Sequence, residues 1–410
     1  MESFDLDADG TYRRVVTGWR WSVKMNRICR DLLWLALVSL VGPWNLIAVC
    51  QGQVSDAAPA GVVVADQTVA APIVIAHRGA SGYVPEHTTE AAVLAHSMGA
   101  DYIEQDVVLS KDGIPVVLHD LTLNDVSDVA KVFPERVRED GRWYVMDLTL
   151  EELRRLNLTE RRSENRAWKQ AGTRFPLELG RFRIATLAEH LELIAGLNKS
   201  LGRTAGVYVE VKDPARHRAA GLDSSAEILK VLTAAGYDSA AAPVFVQCFD
   251  QAEVRRLRME LKCRLPLIWL TAKMPDEAVV REVSGFCDGL GVTLNLVVSS
   301  VTAAGRPVIT SLVETAHRHG LQVHAWTLRA DALPEGVKEV DLMLEWLTVD
   351  GGVDGIFSDQ PDVVVGWRNR RLAADGKGNP FRLLNAGDKQ SEATGDSSVK
   401  TPSQPAKSQN

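Results

Sequence analysis

Apolar positions along this chain recur with two periods. Short runs of a strand-like period two, rich in Val, Ile and Leu, occur in IVIA, DYIEQDVVLS, IPVVLHD, AGVYVEVKDP, PVFVQCFD, LPLIWL, CDGLGV, LQVHAWTL and VDGIFSDQPD. Between most of them lie stretches of helical period: after Thr88 or Thr89, from Leu187 to Gly196, Ser224 to Ala235, Gln251 to Leu261, Ser311 to His319 and Val340 to Leu347. Gly236 and Gly320 end two of these. Near-continuous apolar strands joined by helix-length segments predict a parallel sheet with both faces covered. The expected fold is therefore α/β, a closed (β/α)8 TIM barrel with an insertion after the third strand. Nine strand-like runs compete for eight places, and CDGLGV, near Asp288, is the weakest of them.

The long segment from Leu121 to about Ile184 interrupts this rhythm. It is rich in Arg, Glu and Asp, and its one helix signal is a capping box of Thr149 and Glu152 ahead of Leu156. A segment this long inside a domain is seldom bare loop, so it is expected to sit over the mouth of the barrel and shape the pocket. The catalytic domain then spans residues 70–368, with the insertion at about 121–184.

Composition adds the chain's ends. At 410 residues, 46% hydrophobic, 24% charged and with a net charge of −7, the chain can bury a large core and lacks the basic stripe of a nucleic-acid binder. Residues 1–60 look like a leader with its linker. Arg20, Lys24, Arg27 and Arg30 precede an uncharged run from Leu32 to Val49, and small residues follow. A cleaved signal is the expectation, starting from Met1 or Met25, with an uncleaved anchor as the alternative and lipidation at Cys50 as a lesser one. The protein is then exported, periplasmic or extracellular, and meets a membrane only through such an anchor. From Ala373 to Asn410 the polar composition predicts a disordered tail. Cys248, Cys263 and Cys287, an odd number in apolar contexts, are expected to be buried thiols.

Strand alternation organises the chemistry. Residues i and i+2 share a face, so Glu104 points with Asp106, and Tyr208 with Glu210 and Lys212. In a parallel barrel, reactive groups gather at the strands' C-terminal ends, where His77, Arg78, His119 and Asp120 also fall. Three carboxylates without a matching number of cations suit a hard divalent ion, Ca²⁺ or Mg²⁺, better than plain salt bridging. No His/Cys spacing typical of zinc is present. Two histidines beside such an ion can give and take protons across a bond being broken, and Arg78 and Lys212 supply charge for a phosphate. His87, His317 and His319 are expected to be structural or surface residues, and Gly79 and Gly82 to let the loop turn closely around a ligand. A cation, two histidines and an Arg/Lys pair fit hydrolysis of a phosphate ester without naming the ester.

Seven segments, HRGASGYVPEHT, IEQDVVLSKDG, VVLHD, VYVEVKDP, VQCFD, VHAWTLR and VDGIFSDQPD, resemble in order the motifs of the glycerophosphodiester phosphodiesterase family, in particular its exported bacterial branch. The likeness covers about residues 73–366 and includes the insertion, with SDVAKVFPERVREDGRWY. It implies hydrolysis of a small-molecule glycerophosphodiester to glycerol 3-phosphate and an alcohol. By motif position it implies Glu104, Asp106 and Glu210 as ligands of Ca²⁺ (or Mg²⁺), and His77 and His119 as the acid/base pair. Arg78 and Lys212 become phosphate contacts, and Phe249 and Trp326 aromatic walls. Two alternatives differ in outcome: a lysophospholipase D-like or phospholipase C-like enzyme cleaving a lipid-bearing diester, or a non-catalytic surface binding protein on the same fold.

Overall fold

Eight parallel strands pair in sequence, and the last closes on the first. They are β1 (Ile73–Ala76), β2 (Tyr102–Leu109), β3 (Gly206–Val211), β4 (Val244–Cys248), β5 (Leu267–Thr271), β6 (Gly289–Thr293), β7 (Gln322–Leu328) and β8 (Gly355–Ser358). This computed structural model describes residues 71–162 and 174–374, together with the strand backbones of 4–6 and 12–14. Phe4–Leu6 and Tyr12–Arg14 form an antiparallel pair within a separate unit, a pairing the leader reading did not predict. The uncharged leader run and nearly all of the polar tail lie outside the described residues. Among the described residues no helix is long and apolar enough to cross a membrane.

Alternation decides what faces in. Outward residues such as Val74, Ile103, Val107, Val207, Val209, Val246, Leu290 and Ile356 pack under the helices in one continuous core. Inward, one end of the barrel is plugged by Ile75, Tyr208, Phe245, Ile268 and Phe357, with the Tyr208 ring 4.9 Å from both phenylalanine rings. Small residues alternate with these large ones. A Cβ on Gly206 would lie 2.5 Å from the Pro243 carbonyl oxygen and 2.5 Å from the Tyr102 ring, so only glycine fits there.

Two sequence expectations need correction. IPVVLHD does not form a barrel stave: Pro115–Val117 runs antiparallel to β2, pairing Val107 with Val117 and Leu109 with Pro115. The turn through Lys111 and Gly113 (φ +77°) is too short for the crossover that a parallel partner requires. CDGLGV, judged the weakest run, supplies β6. Its inward glycines hide the alternation, because a Cβ on Gly291 would lie 2.4 Å from Leu270 Cδ2. The insertion does follow the third strand in chain order, but that strand is an offshoot of β2.

Helices fall near their expected places. Thr88 caps α1 (Thr89–Ser97), and Thr186 with Glu189 forms a capping box on α2 (Leu187–Leu201). The box of Thr149 and Glu152 is also present, on the short helix Leu150–Leu153. The insertion builds a small core of its own around Leu123, Val129, Leu148, Leu153, Leu156 and Leu158, continuous with Val108 and Val116. Cys248, Cys263 and Cys287 are free and buried, as expected.

The plug makes a stability prediction. Phe245→Ala removes a ring packed against Tyr102, Tyr208 and His324, and should cost about 3–5 kcal/mol in denaturant unfolding. A loss within about 0.5 kcal/mol would show that the plug does not carry the barrel.

Candidate active site

Above the aromatic plug the barrel interior becomes acidic. Register places Glu104 beside Tyr208 and Asp106 beside Glu210, so β2 and β3 bring three carboxylates into one buried cluster. One oxygen from each lies within 4.8 Å of the others. Glu104 and Asp106 sit within β2 rather than at its end, since the antiparallel offshoot carries that strand on to Leu109.

Each carboxylate is held differently. Glu104 accepts from the Arg78 backbone N–H at 2.8 Å and from Gln247 Nε2 at 3.0 Å. Asp106 Oδ2 pairs with His87 Nε2 at 2.7 Å and lies 3.5 Å from Arg78 Nε. Its Oδ1 is buried with no hydrogen-bond donor among the described residues, Lys212 Nζ standing 3.7 Å away. Lys212 makes its closer contact with Glu210, at 2.8 Å.

Crowded, buried like charges compete for protons. Burial, reinforced by Asp106 and Glu210, raises Glu104 well above the usual carboxylate range. Burial also pushes Glu210 up to about 8, with Asp106 adding to it and Lys212 pulling the other way. Asp106 is held well below the usual range, because Lys212, His119 and His87 outweigh its burial. The trio therefore keeps fewer than three negative charges near neutral pH. Excess acidity, oxygen-only donors and an orphaned Asp106 oxygen fit a hard divalent cation, which Glu104, Asp106 and Glu210 would hold.

Both predicted histidines reach the same cavity, of about 350 Å³, whose lining includes His77, Arg78, His119, Lys212, Phe249 and Trp326 together with the three acids. His77 Nδ1 lies 2.6 Å from Asp359 Oδ1, and His119 Nδ1 lies 2.5 Å from Asp120 Oδ1. With each carboxylate accepting from Nδ1–H, each ring turns Nε2 toward the cavity as a proton acceptor. His77 Nε2 is 3.9 Å from Glu104. Burial and then the Arg78 charge depress both rings, His77 to about 3 and His119 to about 4. Phe249 and Trp326 meet edge to face at 5.5 Å on the cavity wall, and Phe249 is 47% exposed.

Several partners were not singled out from the sequence. Asp359 also binds Arg174 at 2.6 Å and Arg329 at 2.9 Å, and its carboxyl is held well below the ordinary range, Arg329, His77 and Arg174 outweighing burial. Its position directly after β8, matching that of His77 after β1, was the available signal. Glu86 links Arg78 at 3.0 Å to the buried Arg161, which also pairs with Asp120. His87, expected to be structural or superficial, is buried against Asp106. Gly79 does turn the loop, at φ +77°, and both glycines are also required by packing: a Cβ on Gly79 would meet Ala91 at 2.7 Å, and one on Gly82 would meet Gln360 at 2.4 Å. No described residue of the insertion lines the cavity. Through Arg161 and Arg174 it braces Glu86, Asp120 and Asp359 instead.

Comparison with known proteins places the chain in a family. The model of the glycerophosphoryl diester phosphodiesterase family matches residues 77–363. A glycerophosphodiester phosphodiesterase from Haemophilus influenzae is 39% identical over 323 residues, covering 72% of this chain and 88% of that protein. One from Treponema pallidum is 33% identical over 322 residues, covering 72% and 90%. A solved structure from Silicibacter pomeroyi DSS-3 superposes with a TM-score of 0.54 at 25% identity, covering 74% of this chain and 94% of that one. An Oleispira antarctica phosphodiesterase in complex with the product sn-glycerol-3-phosphate gives 0.50 at 22%, covering 72% and 96%. A barrel with this acidic mouth, matched over most of its length by that family's model and by close relatives, belongs to the glycerophosphoryl diester phosphodiesterase family.

Proposed function

We propose that the protein is a glycerophosphodiester phosphodiesterase that hydrolyses its substrate to sn-glycerol 3-phosphate and an alcohol, using Ca²⁺ or Mg²⁺ and two histidines. The observation that carries this reading is the buried Glu104–Asp106–Glu210 cluster, sharing one cavity with two imidazoles whose Nδ1 atoms are each bound to a carboxylate. The activity itself is that of relatives matched over nearly their whole length.

A divalent cation at the cluster would polarise a phosphoryl oxygen and offset charge as the P–O bond breaks. The chain's own groups do the rest. Arg78 and Lys212, both on the cavity wall, supply the positive charge and N–H donors for the phosphate. After burial, the Arg78 charge is the largest cause of the depression of both histidines, so a phosphate anion against it raises their proton affinity. One ring then removes a proton from the attacking hydroxyl, of water or of the substrate's own glycerol, and the other delivers one to the departing alkoxide. In the second case water then opens the cyclic phosphate to glycerol 3-phosphate. Asp359 and Asp120 hold the rings in the tautomer that points Nε2 at the substrate. Phe249 and Trp326 wall the space beside the phosphate. Export, to the periplasm or beyond, is supported by the basic residues from Arg20 to Arg30 ahead of the uncharged run that ends at Val49.

Turnover of glycerophosphocholine, read by coupled detection of glycerol 3-phosphate, should stop with chelator and return with Ca²⁺ or Mg²⁺. No turnover with either ion would favour a binding protein, and release of product from the lysolipid alone would favour a lysophospholipase. His119→Ala should lower kcat by about 10²–10⁴-fold with little change in KM, whereas Glu210→Ala should raise the metal concentration needed for half-activity. Equal mild losses from both would contradict the roles assigned. The metal-free protein gives a further test, since Glu210 is pushed up to about 8 and its proton competes with the cation below that pH. Apparent Ca²⁺ affinity measured by calorimetry should therefore climb by at least about tenfold per pH unit between pH 6 and pH 8, and more steeply where the Glu104 proton is displaced as well. A flat profile would show that no carboxyl proton is displaced.

A further inference from the structure

His87 has no part in the steps above, yet it is only 1% exposed and its backbone lies at φ +61°. Left-handed backbone is unfavourable for a residue with a side chain and persists where its surroundings require it. Here they do: the His87 N–H donates to the Arg78 carbonyl at 3.0 Å, and Arg78, itself at φ +60°, turns its own N–H onto Glu104. The loop from β1 to α1 is thus folded back so that one residue contacts Glu104 and another contacts Asp106.

The consequence is an asymmetric Asp106. Its Oδ2 receives His87 Nε2 at 2.7 Å and faces Arg78 Nε at 3.5 Å, while Oδ1 receives no N–H from the described residues. Among these residues no second hydrogen bond reaches the His87 ring: Nδ1 has no partner, and the adjacent His190, on α2, bears on the His87 backbone rather than on its ring. The imidazole therefore has one polar contact, and that contact fixes the rotation of one carboxylate.

We infer that His87 is a positioning residue of the cation site: its Nε2–H holds Asp106 Oδ2, so that Oδ1 is the oxygen presented with Glu104 and Glu210. This rests on the reading of those three acids as the cation ligands. Outer-shell hydrogen bonds of this kind orient metal-binding carboxylates, and losing one weakens metal affinity by about 10–100-fold.

Calorimetric titration of the full chain with Ca²⁺ separates the possibilities, using wild type, His87→Leu, His87→Gln and Glu210→Ala. Leucine removes the donor, whereas the glutamine amide places an N–H close to where Nε2 was. His87→Leu should lose at least about tenfold in Ca²⁺ affinity, and His87→Gln should return to within about threefold of wild type. The KM for glycerophosphocholine at saturating Ca²⁺ should stay unchanged in both. Wild-type affinity in His87→Leu, with Ca²⁺ binding lost in Glu210→Ala, overturns the inference. Wild-type affinity in Glu210→Ala overturns the cation reading itself, and the inference falls with it. Should His87→Leu fail to fold, His87→Ala takes its place as the variant without a donor: a loss of at least about tenfold supports the role, and wild-type affinity rejects it.

Discussion

Three carboxylates forced together inside a barrel set the terms for everything near them. Isolated in a low-dielectric interior they would repel strongly, and the protein tolerates them only because charge is supplied or removed. Lys212 lies against Glu210, the Arg78 backbone and Gln247 satisfy Glu104, and His87 satisfies one oxygen of Asp106. Protons cover much of the remaining excess, as the upward displacement of Glu104 and Glu210 indicates. Such a cluster is poised to exchange protons and an ammonium contact for a doubly charged ion.

The barrel makes this arrangement possible by separating stability from chemistry along its axis. Its aromatic plug, in which the Tyr208 hydroxyl is paired with His324 Nδ1 at 2.9 Å, and the outward valine layer carry no carboxylate, so the buried charge is confined to the opposite end. The loops after β1 and β8 and the chain beyond the β2 offshoot add His77, Asp359, His119 and Asp120. Ion pairs from the insertion then lock that rim, since Arg161 bridges Glu86 and Asp120 while Arg174 joins Asp331 and Asp359. The described part of the insertion thus bears on the histidines through their carboxylate partners.

Much of this was legible from alternation alone. The phase shared by Glu104 with Asp106 and by Tyr208 with Glu210 follows from the strand period, and it placed all three acids inside. Two features hid from that logic. The proline-bearing run after Gly113 has the composition of a stave, and only the short turn before it reveals an antiparallel return. Gly289 and Gly291 carry no side chain to show alternation, so a true stave looked weak. Partners distant in sequence were harder still. Asp359 and His77 are 282 residues apart, Arg161 and Glu86 are 75 apart, and no local pattern announces such pairs. His87 was expected to be structural or on the surface; it is buried, and its contact with Asp106, 19 residues on, has no local signal.

What the site holds can be seen directly. Crystals of the full chain soaked in Mn²⁺, a hard cation with strong anomalous scattering, should show a single strong peak coordinated by oxygens of Glu104, Asp106 and Glu210, with Lys212 Nζ moved off Glu210. A barrel interior without that peak, or with the ion bound away from these three residues, would contradict the account.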